Sequence, residues 1–359
     1  MSIYSIITGT GSYIPRQIIK NESFLNNDFY DTSGKKIETP NEEIIKKFYQ
    51  ITDIEERRYV EDDQVTSDLA HLSALEAIKE ANIDKESIDY IIVAHNFGDI
   101  QKGSNRCDMV PSLASRVKAK LNIENPATLC FDIVSGCPGW IQGLIQADYF
   151  IRSGHVKRIL VIGADTLSRI SDPHDRDSMI YADGAGAAII EGTESDTPVG
   201  ILSHGTRSDT TNNTAYTLWL GKSNNPSVHG RDLYIKMHGH KIYEYALKKV
   251  PQLVKDTIEK ANIPVQEVKK ILIHQANAKM DEAILQRIFR LYKGVKPPEY
   301  IMPMTINKLG NTSVATVPTL LDLMLKNKIA NYHAKRDDVI VFASVGAGMN
   351  VNSLVYRMT

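Results

Sequence analysis

The chain has 359 residues, with 42 Lys and Arg against 43 Asp and Glu, so its formal net charge at pH 7 is −1. This balance excludes a strong overall attraction to nucleic acid or to an anionic membrane. Hydrophobic residues make up 42% and charged residues 24% of the chain, which excludes a disordered or fibrous protein. The length predicts a globular protein of about two domains.

The cysteine content and the apolar runs indicate where the protein works. Its three cysteines form no CxxC pair, which excludes a disulfide framework and favours a reducing compartment. No apolar run approaches the about 18 residues that a membrane-spanning helix needs. We therefore expect a cytoplasmic protein without a membrane partner.

The N-terminal segment predicts a β-strand followed by a glycine turn. Its apolar residues lead into Gly9-Thr10-Gly11, and no basic residues precede them as they would in a signal peptide. The two glycines are spaced as in a dinucleotide-binding loop, but Ile14 stands where the third glycine of that motif belongs. We interpret the segment as a strand that ends in a plain turn.

Similar segments recur 180 residues apart. Ala81-Asn82-Ile83 precedes a short apolar strand, and Ala261-Asn262-Ile263 precedes another. The strand Arg158-Ile-Leu-Val-Ile-Gly163 corresponds to Asp338-Val-Ile-Val-Phe-Ala343 at the same offset. One constant offset across different elements indicates that the chain is an internal duplication.

Each half alternates helices with short buried strands. Residues 69–81 have helical periodicity, whereas 90–94 and 159–162 are uninterrupted apolar strands. This alternation predicts mostly parallel sheets covered by helices on both faces. We expect two similar α/β halves, residues 1–194 and 195–359, to meet at a pseudo-twofold axis with a cleft between them. The polar stretch 208–227 is predicted to be a surface excursion.

Cys137 is the first candidate for chemistry. It directly precedes Pro138 and an amphipathic run that begins at Trp140. Because proline favours the first position of a helix, Cys137 is expected at the N-cap or beside it. The helix dipole there favours the thiolate, so we predict a lowered pKa and a nucleophilic role. Cys130 is interpreted as a core residue, and Cys107 has no evident catalytic neighbour.

His274 and Asn311 are the second and third candidates. His274 ends an apolar strand, where α/β active sites gather, and Asn311 precedes the helix that corresponds to the one after Cys137. Taken singly, a buried core histidine and a helix-capping asparagine are ordinary explanations. The duplication, however, brings all three residues towards one interface.

Five ordered motifs carry a family resemblance. They are SGCPGW, DRDSMIYADGAGAAII, HQAN, GNTS and VGAGMNVNSLVYR. Together they resemble the β-ketoacyl-acyl-carrier-protein synthase III family of thiolase-fold condensing enzymes, over essentially the whole chain. The resemblance implies a five-layered αβαβα sandwich of two duplicated halves and a homodimer.

The resemblance also implies a reaction. Cys137 would accept an acyl group from acyl-coenzyme A, with His274 and Asn311 completing a Cys-His-Asn triad. The backbone N–H groups of Cys137 and Ala347 would form the oxyanion hole. Decarboxylative condensation with malonyl-acyl-carrier protein would then yield a 3-oxoacyl-acyl-carrier protein and start fatty-acid or related chain synthesis. No metal or resident cofactor is expected, since coenzyme A is a substrate.

Several expected substrate contacts depart from the family pattern. Lys47 and Ile51 replace the family's coenzyme A-binding tryptophan and arginine, whereas Arg176 matches a cofactor-contacting arginine. A carrier-bound primer therefore remains an alternative. Val110 replaces a phenylalanine that the dimer partner contributes to the acyl tunnel, which predicts tolerance of longer or branched acyl chains. Lys279 matches an arginine that docks the acidic carrier.

Two other functions remain open. A related enzyme of secondary metabolism would pass the acyl group from Cys137 to a different acceptor. A non-catalytic subunit that binds acyl carriers is the third interpretation, and the joint presence of Cys137, His274 and Asn311 disfavours it.

Overall fold

The computed structural model describes residues 2–359 as two large β-sheets with helices between and outside them, together with two small two-stranded sheets. The α-helices are α1 (Asn41–Thr52), α2 (Thr66–Ala81), α3 (Leu113–Lys120), α4 (Gly139–Arg152), α5 (Gly239–Lys260), α6 (Ala278–Arg290), α7 (Ile306–Leu309) and α8 (Thr316–Leu325). The strands are β1 (Ser2–Tyr13), β2 (Gln17–Lys20), β3 (Glu56–Tyr59), β4 (Tyr90–His95), β5 (Leu129–Val134), β6 (Arg158–Thr166), β7 (Asp183–Ser195), β8 (Gly200–Ser208), β9 (Leu218–Gly221), β10 (Tyr234–Met237), β11 (Val268–Ile273), β12 (Val339–Gly346) and β13 (Asn350–Arg357). Strands β2 and β3 form one of the small sheets, and β9 and β10 form the other. Short 3₁₀ helices span Asn21–Phe24, Lys85–Ser87, Leu167–Ile170, Arg176–Ile180, Thr214–Tyr216, Val265–Glu267 and Ser313–Ala315.

The two large sheets share one strand order. The first runs β1-β7-β6-β4-β5, and the second runs β8-β13-β12-β11. In each sheet one parallel pair, β4 with β6 or β11 with β12, is followed by two antiparallel strands, and the first sheet has the additional parallel edge strand β5. The predicted duplication is therefore confirmed by topology. The expectation of mostly parallel sheets is wrong, because the short connection between β12 and β13 can only join antiparallel strands.

Helices form three layers around these sheets. Helices α4 and α8 lie between the sheets, where Trp140 of α4 meets Phe342 of β12 edge to face at 6.0 Å between ring centroids. Helices α2 and α3 cover the outer face of the first sheet, and α5 and α6 cover that of the second. The predicted five-layered αβαβα sandwich is confirmed.

The N-terminal glycines lie within a strand and not in a turn. Strand β1 continues through Gly9 and Gly11 to Tyr13, so the predicted turn is wrong. A Cβ on Gly9 would lie 2.5 Å from the Ala77 carbonyl oxygen of α2, and one on Gly11 would collide with the Ser73 carbonyl. The glycines are therefore needed because α2 packs directly onto β1.

The middle of the chain departs from one further expectation. Strand β7, the last strand of the first sheet, ends at Ser195, and β8, the first strand of the second sheet, begins at Gly200. The division into domains 1–194 and 195–359 stays a prediction. The stretch 208–227 contains β9, whose Leu218 lines an internal cavity beside Cys137, so it is more than a surface excursion. No helix within residues 2–359 has the length and apolar character to cross a membrane.

Candidate active site

Cys137 lies in the turn between β5 and α4. Pro138 is the N-cap of α4, and the Gly139 N–H donates to the Gly136 carbonyl at 2.9 Å, which closes the turn. The side chain of Asn352 on β13 donates to the Pro138 carbonyl at 3.1 Å and anchors the turn to the second sheet. The cysteine therefore stands beside the N-cap, at the seam of the two halves.

Burial controls the protonation of this cysteine. It raises the pKa of the Cys137 thiol to about 12, and the nearby Asp165 carboxylate adds to the rise, while a hydrogen bond from the Ser313 hydroxyl at 3.3 Å opposes it. The lowered pKa predicted from the helix N-terminus is therefore wrong, because desolvation of a thiolate outweighs the dipole at this site. Cys137 rests as a neutral thiol.

His274 follows β11 in the second half. Its backbone N–H donates to the Ala343 carbonyl of β12 at 2.9 Å, which continues the β11–β12 pairing up to the histidine. The neighbouring Gln275 is fully buried, donating to the Pro303 carbonyl at 2.8 Å and accepting from the Thr305 N–H at 2.9 Å. Burial lowers the pKa of His274 to about 4, so the imidazole is neutral near pH 7.

The Asn311 backbone is held against the segment 180–182 by two hydrogen bonds. Its N–H donates to the Ile180 carbonyl at 3.0 Å, and its carbonyl accepts from the Ala182 N–H at 2.9 Å. The side-chain Oδ1 accepts from the Ser313 N–H at 2.8 Å. Because the oxygen of the amide is engaged in this way, its Nδ2 is the atom left to donate to a bound substrate.

The three predicted catalytic side chains line one cavity. Cys137, His274 and Asn311 surround an enclosed space of about 60 Å³, together with the Gly346-Ala347 backbone that was predicted to supply the oxyanion hole. The rest of the wall is apolar apart from Asn96, Ser313 and the Tyr181 hydroxyl, and its apolar residues are Leu167, Leu218, Ile235, Met237, Ile242, Ala276, Met280, Val345 and Met349. This arrangement suits chemistry on a thioester that must be kept from water, and the individual roles remain predictions.

The predicted substrate contacts lie outside that cavity. Arg176 is exposed and borders a larger vestibule of about 640 Å³, which shares Met237 with the catalytic cavity. Lys279 is exposed on α6, and Val110 is 85% exposed in the loop before α3. Their roles in binding also remain predictions.

An ion pair occupies the acidic stretch near Arg176. The ammonium group of Lys236 lies 2.6 Å from a carboxylate oxygen of Asp172 and 3.0 Å from one of Asp175. The sequence did not predict this lysine, which comes from β10, far along the chain. Within residues 2–359, no group of three or more His, Cys, Asp or Glu side chains is arranged to hold a metal ion.

Three further polar residues surround the cysteine. Asn96 follows β4, Asp165 lies in β6, and Ser313 begins the short helix after Asn311. Asn96 and Asp165 sit at the carboxyl ends of adjacent parallel strands, which is the sequence signal that could have identified them. Ser313 belongs to the GNTS motif, but its side-chain direction depends on a left-handed backbone with φ of +52°, which the motif does not reveal.

Comparison with known proteins agrees with this geometry. Residues 131–210 match the family model of 3-oxoacyl-[acyl-carrier-protein] synthase III, and residues 258–358 match the model of its C-terminal part. The β-ketoacyl-[acyl-carrier-protein] synthase III of Staphylococcus aureus (strain Newman) is 34% identical over 353 residues, which cover 98% of either chain. The chain belongs to the 3-oxoacyl-[acyl-carrier-protein] synthase III family. The resemblance seen in the motifs is thereby confirmed, and the protein is a condensing enzyme of this type.

Other members of the synthase III family support the same assignment. The enzyme of Ehrlichia ruminantium (strain Gardel) is 33% identical over 356 residues, which cover 99% of either chain. The crystal structure of 3-oxoacyl-[acyl-carrier-protein] synthase III from Aquifex aeolicus VF5 superposes with a TM-score of 0.79 at 28% identity, covering 98% of this chain and 99% of that one. The similarity therefore extends over both halves.

The contact between Gly346 and Cys137 generates a test of the site. A Cβ on Gly346 would lie 2.7 Å from the Cys137 nitrogen and 2.7 Å from Pro138 Cδ, so Gly346→Ala must displace the Cys137 turn. We expect condensing activity to fall by about 10²-fold or more, because the oxyanion donors move with the turn. Gly184→Ala is the matched control, since its Cβ would meet nothing closer than 3.4 Å. Full activity of Gly346→Ala would show that this contact does not position the site.

Proposed function

We propose that this protein transfers an acyl group from acyl-coenzyme A to Cys137 and condenses it with the malonyl group of malonyl-acyl-carrier protein. The product is a 3-oxoacyl-acyl-carrier protein that starts fatty-acid or related chain synthesis. The observation that carries this proposal is the convergence of Cys137, His274 and Asn311 on one closed apolar cavity. No resident cofactor takes part, because coenzyme A enters and leaves as a substrate.

The first step is acyl transfer to sulfur. Cys137 Sγ attacks the thioester carbonyl, the bond between the acyl carbon and the coenzyme A sulfur breaks, and the cysteine proton ends on the departing thiol. Negative charge develops on the carbonyl oxygen, where the N–H groups of Cys137 and Ala347 can receive it. Ala347 lies against the Cys137 turn, since a Cβ on Gly136 would be 3.0 Å from the Ala347 nitrogen.

The second step forms the carbon–carbon bond. Loss of carbon dioxide from the malonyl thioester leaves an enolate, whose oxygen accepts hydrogen bonds from neutral His274 and from Asn311 Nδ2. The enolate carbon attacks the acyl carbonyl on Cys137, the bond between that carbon and the sulfur breaks, and the cysteine thiolate takes a proton from solvent once the product leaves. With its pKa near 4, His274 is an uncharged donor throughout the neutral range and cannot protonate the carbanion as an imidazolium would.

The apolar wall protects both intermediates. An acyl-cysteine is hydrolysed by water, and an enolate is quenched by it, so the reaction needs a dry cavity. Leu167, Leu218 and Ile235 supply such surroundings beside Cys137. These side chains form the wall against which the acyl group on Cys137 would lie.

Substrates would enter through the vestibule beside Arg176. Its guanidinium is exposed there and can meet a phosphate, whereas Lys47 and Ile51 lie exposed on α1 and offer no aromatic platform for adenine. The exposed face of α6 carries Lys279, Arg287 and Arg290, while Ile284 and Ile288 are buried beneath it. This basic face suits an acidic carrier protein.

A second copy of the chain would complete the acyl pocket. Strand β5 is the edge of the first sheet, and its Leu129 and Val134 are 51% and 61% exposed. An exposed apolar edge strand is a surface on which a second strand can pair. Met109 and Val110, in the loop before α3, are exposed as well. We infer a homodimer through β5, in which the partner's Val110 loop closes the pocket.

The unpaired thiols of Cys107, Cys130 and Cys137 support a cytoplasmic location.

Two readouts test the proposed function. Incubation with acyl-coenzyme A should add the acyl mass to the peptide that contains Cys137, and malonyl-acyl-carrier protein should then release carbon dioxide. His274→Ala and Asn311→Ala should keep the adduct but lose about 10²- to 10³-fold in carbon dioxide release, because the enolate loses a donor. Cys137→Ala should form no adduct, and His155→Ala, at an exposed position, is the control.

The same experiment separates the alternatives. An adduct on Cys137 without any release of carbon dioxide would contradict condensation and favour acyl transfer to another acceptor in secondary metabolism. The absence of an adduct would favour the non-catalytic binding subunit.

The residue at position 110 should set acyl-chain preference. Because valine leaves more room than phenylalanine, the protein should accept branched or longer primers as well as acetyl. Val110→Phe should lower kcat/KM for those primers by about tenfold relative to acetyl. The control is Val228→Phe, at a loop position that is 40% exposed. A chain-length profile with acetyl alone, or one unchanged by Val110→Phe, would overturn this assignment.

Lys279 should contribute to carrier docking. Lys279→Glu should raise KM for malonyl-acyl-carrier protein about tenfold and leave kcat nearly unchanged, because a surface charge steers encounter without touching the reacting atoms. Lys269→Glu is the matched control, since this exposed lysine lies at the opposite end of β11 from His274. Equal increases in KM from the charge reversals at Lys279 and Lys269 would contradict a specific docking role for Lys279.

A further inference from the structure

Behind Cys137 lies a buried polar chain that the reaction described above leaves unused. Asp165 and Ser313 are 2% and 1% exposed, and Asn96 lies between them. Asn96 Nδ2 is 2.6 Å from Asp165 Oδ2 and 2.9 Å from Ser313 Oγ, and Ser313 Oγ is 3.3 Å from Cys137 Sγ. An unbroken series of hydrogen bonds therefore runs from a buried carboxylate to the nucleophile.

The direction of these hydrogen bonds follows from the groups themselves. Asp165 accepts from the Asn96 backbone N–H at 2.9 Å and from Asn96 Nδ2 at 2.6 Å, so the Asn96 amide presents Nδ2 and not its oxygen to the carboxyl group, and these bonds oppose the rise that burial causes in the pKa of Asp165. One Nδ2 hydrogen goes to Asp165 and the other to Ser313 Oγ. The Ser313 hydroxyl in turn donates to Cys137 Sγ at 3.3 Å, and its interaction with the Asp165 carboxyl also lowers the pKa of that group.

Backbone geometry adds a second constraint. Ser313 has a left-handed backbone, with φ of +52°, which is uncommon for a residue other than glycine. The Asn311 side chain holds this conformation by accepting from the Ser313 N–H at 2.8 Å. The same turn therefore aims the Asn311 amide at the cavity and the Ser313 hydroxyl at the sulfur.

We propose that Ser313 is a further catalytic residue, which stabilises the sulfur of Cys137 as a thiolate, and that Asn96 and Asp165 position its hydroxyl for this purpose. The proposal rests on the proposed function in that Cys137 is taken as the nucleophile. During acylation the sulfur loses its proton while the acyl bond forms, and during condensation it leaves again as a thiolate. In both steps the Ser313 hydroxyl faces Cys137 Sγ, the atom that carries the negative charge.

The need for such a donor follows from the surroundings of the sulfur. The titratable groups that face it are Asp165 from β6, His274 after β11 and Tyr181 before β7. Burial keeps the pKa of His274 near 4 and raises that of Tyr181 well above its usual range, so both stay neutral between about pH 7 and 9. Neither supplies a positive charge to the thiolate.

Alkylation of Cys137 tests the role of Ser313 without requiring the condensation reaction. The full-length protein is treated with iodoacetamide from about pH 7 to 9, and the rate is followed by mass spectrometry of the Cys137 peptide, which separates it from Cys107 and Cys130. Ser313→Ala should lower the rate at each pH by about ten- to hundredfold, the worth of a hydrogen bond to a charged group. Acylation by acyl-coenzyme A should slow by a similar factor.

Two further variants make the test decisive. Asn96→Ala leaves Ser313 in place but removes its orienting donor, and should slow alkylation several-fold in the same direction. Ser344→Ala is the matched control, because this buried hydroxyl has no hydrogen-bond partner among the residues described, and its alkylation rate should equal that of the unaltered protein. Thermal unfolding of each variant verifies that it is folded, and Asn96→Ala carries the test if Ser313→Ala does not fold.

Unchanged alkylation rates in both Ser313→Ala and Asn96→Ala would overturn the proposal. Failure of the unaltered protein to accept an acyl group would overturn the proposed function instead. The two failures are distinguishable, because iodoacetamide reports on the sulfur whether or not the thioester is a substrate.

Discussion

The contact between the Gly346 turn and the Cys137 turn is the constraint on which the site depends. One turn belongs to the second half of the chain and the other to the first, and no side chain larger than hydrogen fits between them at Gly346. This close approach places the Ala347 backbone beside the Cys137 turn, and His274 and Asn311 line the same cavity. The middle helix layer, α4 and α8, fixes the distance between the sheets and hence this contact.

Burial at this seam determines the character of each catalytic group. The same exclusion of water that raises the pKa of Cys137 lowers that of His274, because desolvation penalises whichever form is charged. Both groups are therefore neutral before substrate arrives. Charge on the sulfur and on the substrate oxygens then develops only during the reaction, where oriented donors from backbone, amide and hydroxyl groups meet it, and such preorganised dipoles are most effective where solvent is absent.

Much of the architecture was predictable because it follows from local patterns. The strands at 90–94 and 159–162 were recognised from apolar runs, and the duplication from the recurrence of Ala81-Asn82-Ile83 at Ala261. Cys137, His274 and Asn311 are recognisable from the sequence because they lie at a strand end or beside a helix start, where α/β active sites gather. By contrast, Gly9 and Gly11 were misread as a turn, since only the packing of α2 shows why a strand needs them.

The repeated α/β pattern, the family and the identity of the candidate nucleophile follow from residue type and from spacing along the chain. Tertiary structure alone decided that Cys137 rests as a thiol, that Lys236 pairs with Asp172, and that the Ser313 hydroxyl points at the sulfur. Each of these is set by groups that lie far apart in the chain. Desolvation and hydrogen-bond direction depend on distances in space, which residue spacing does not encode.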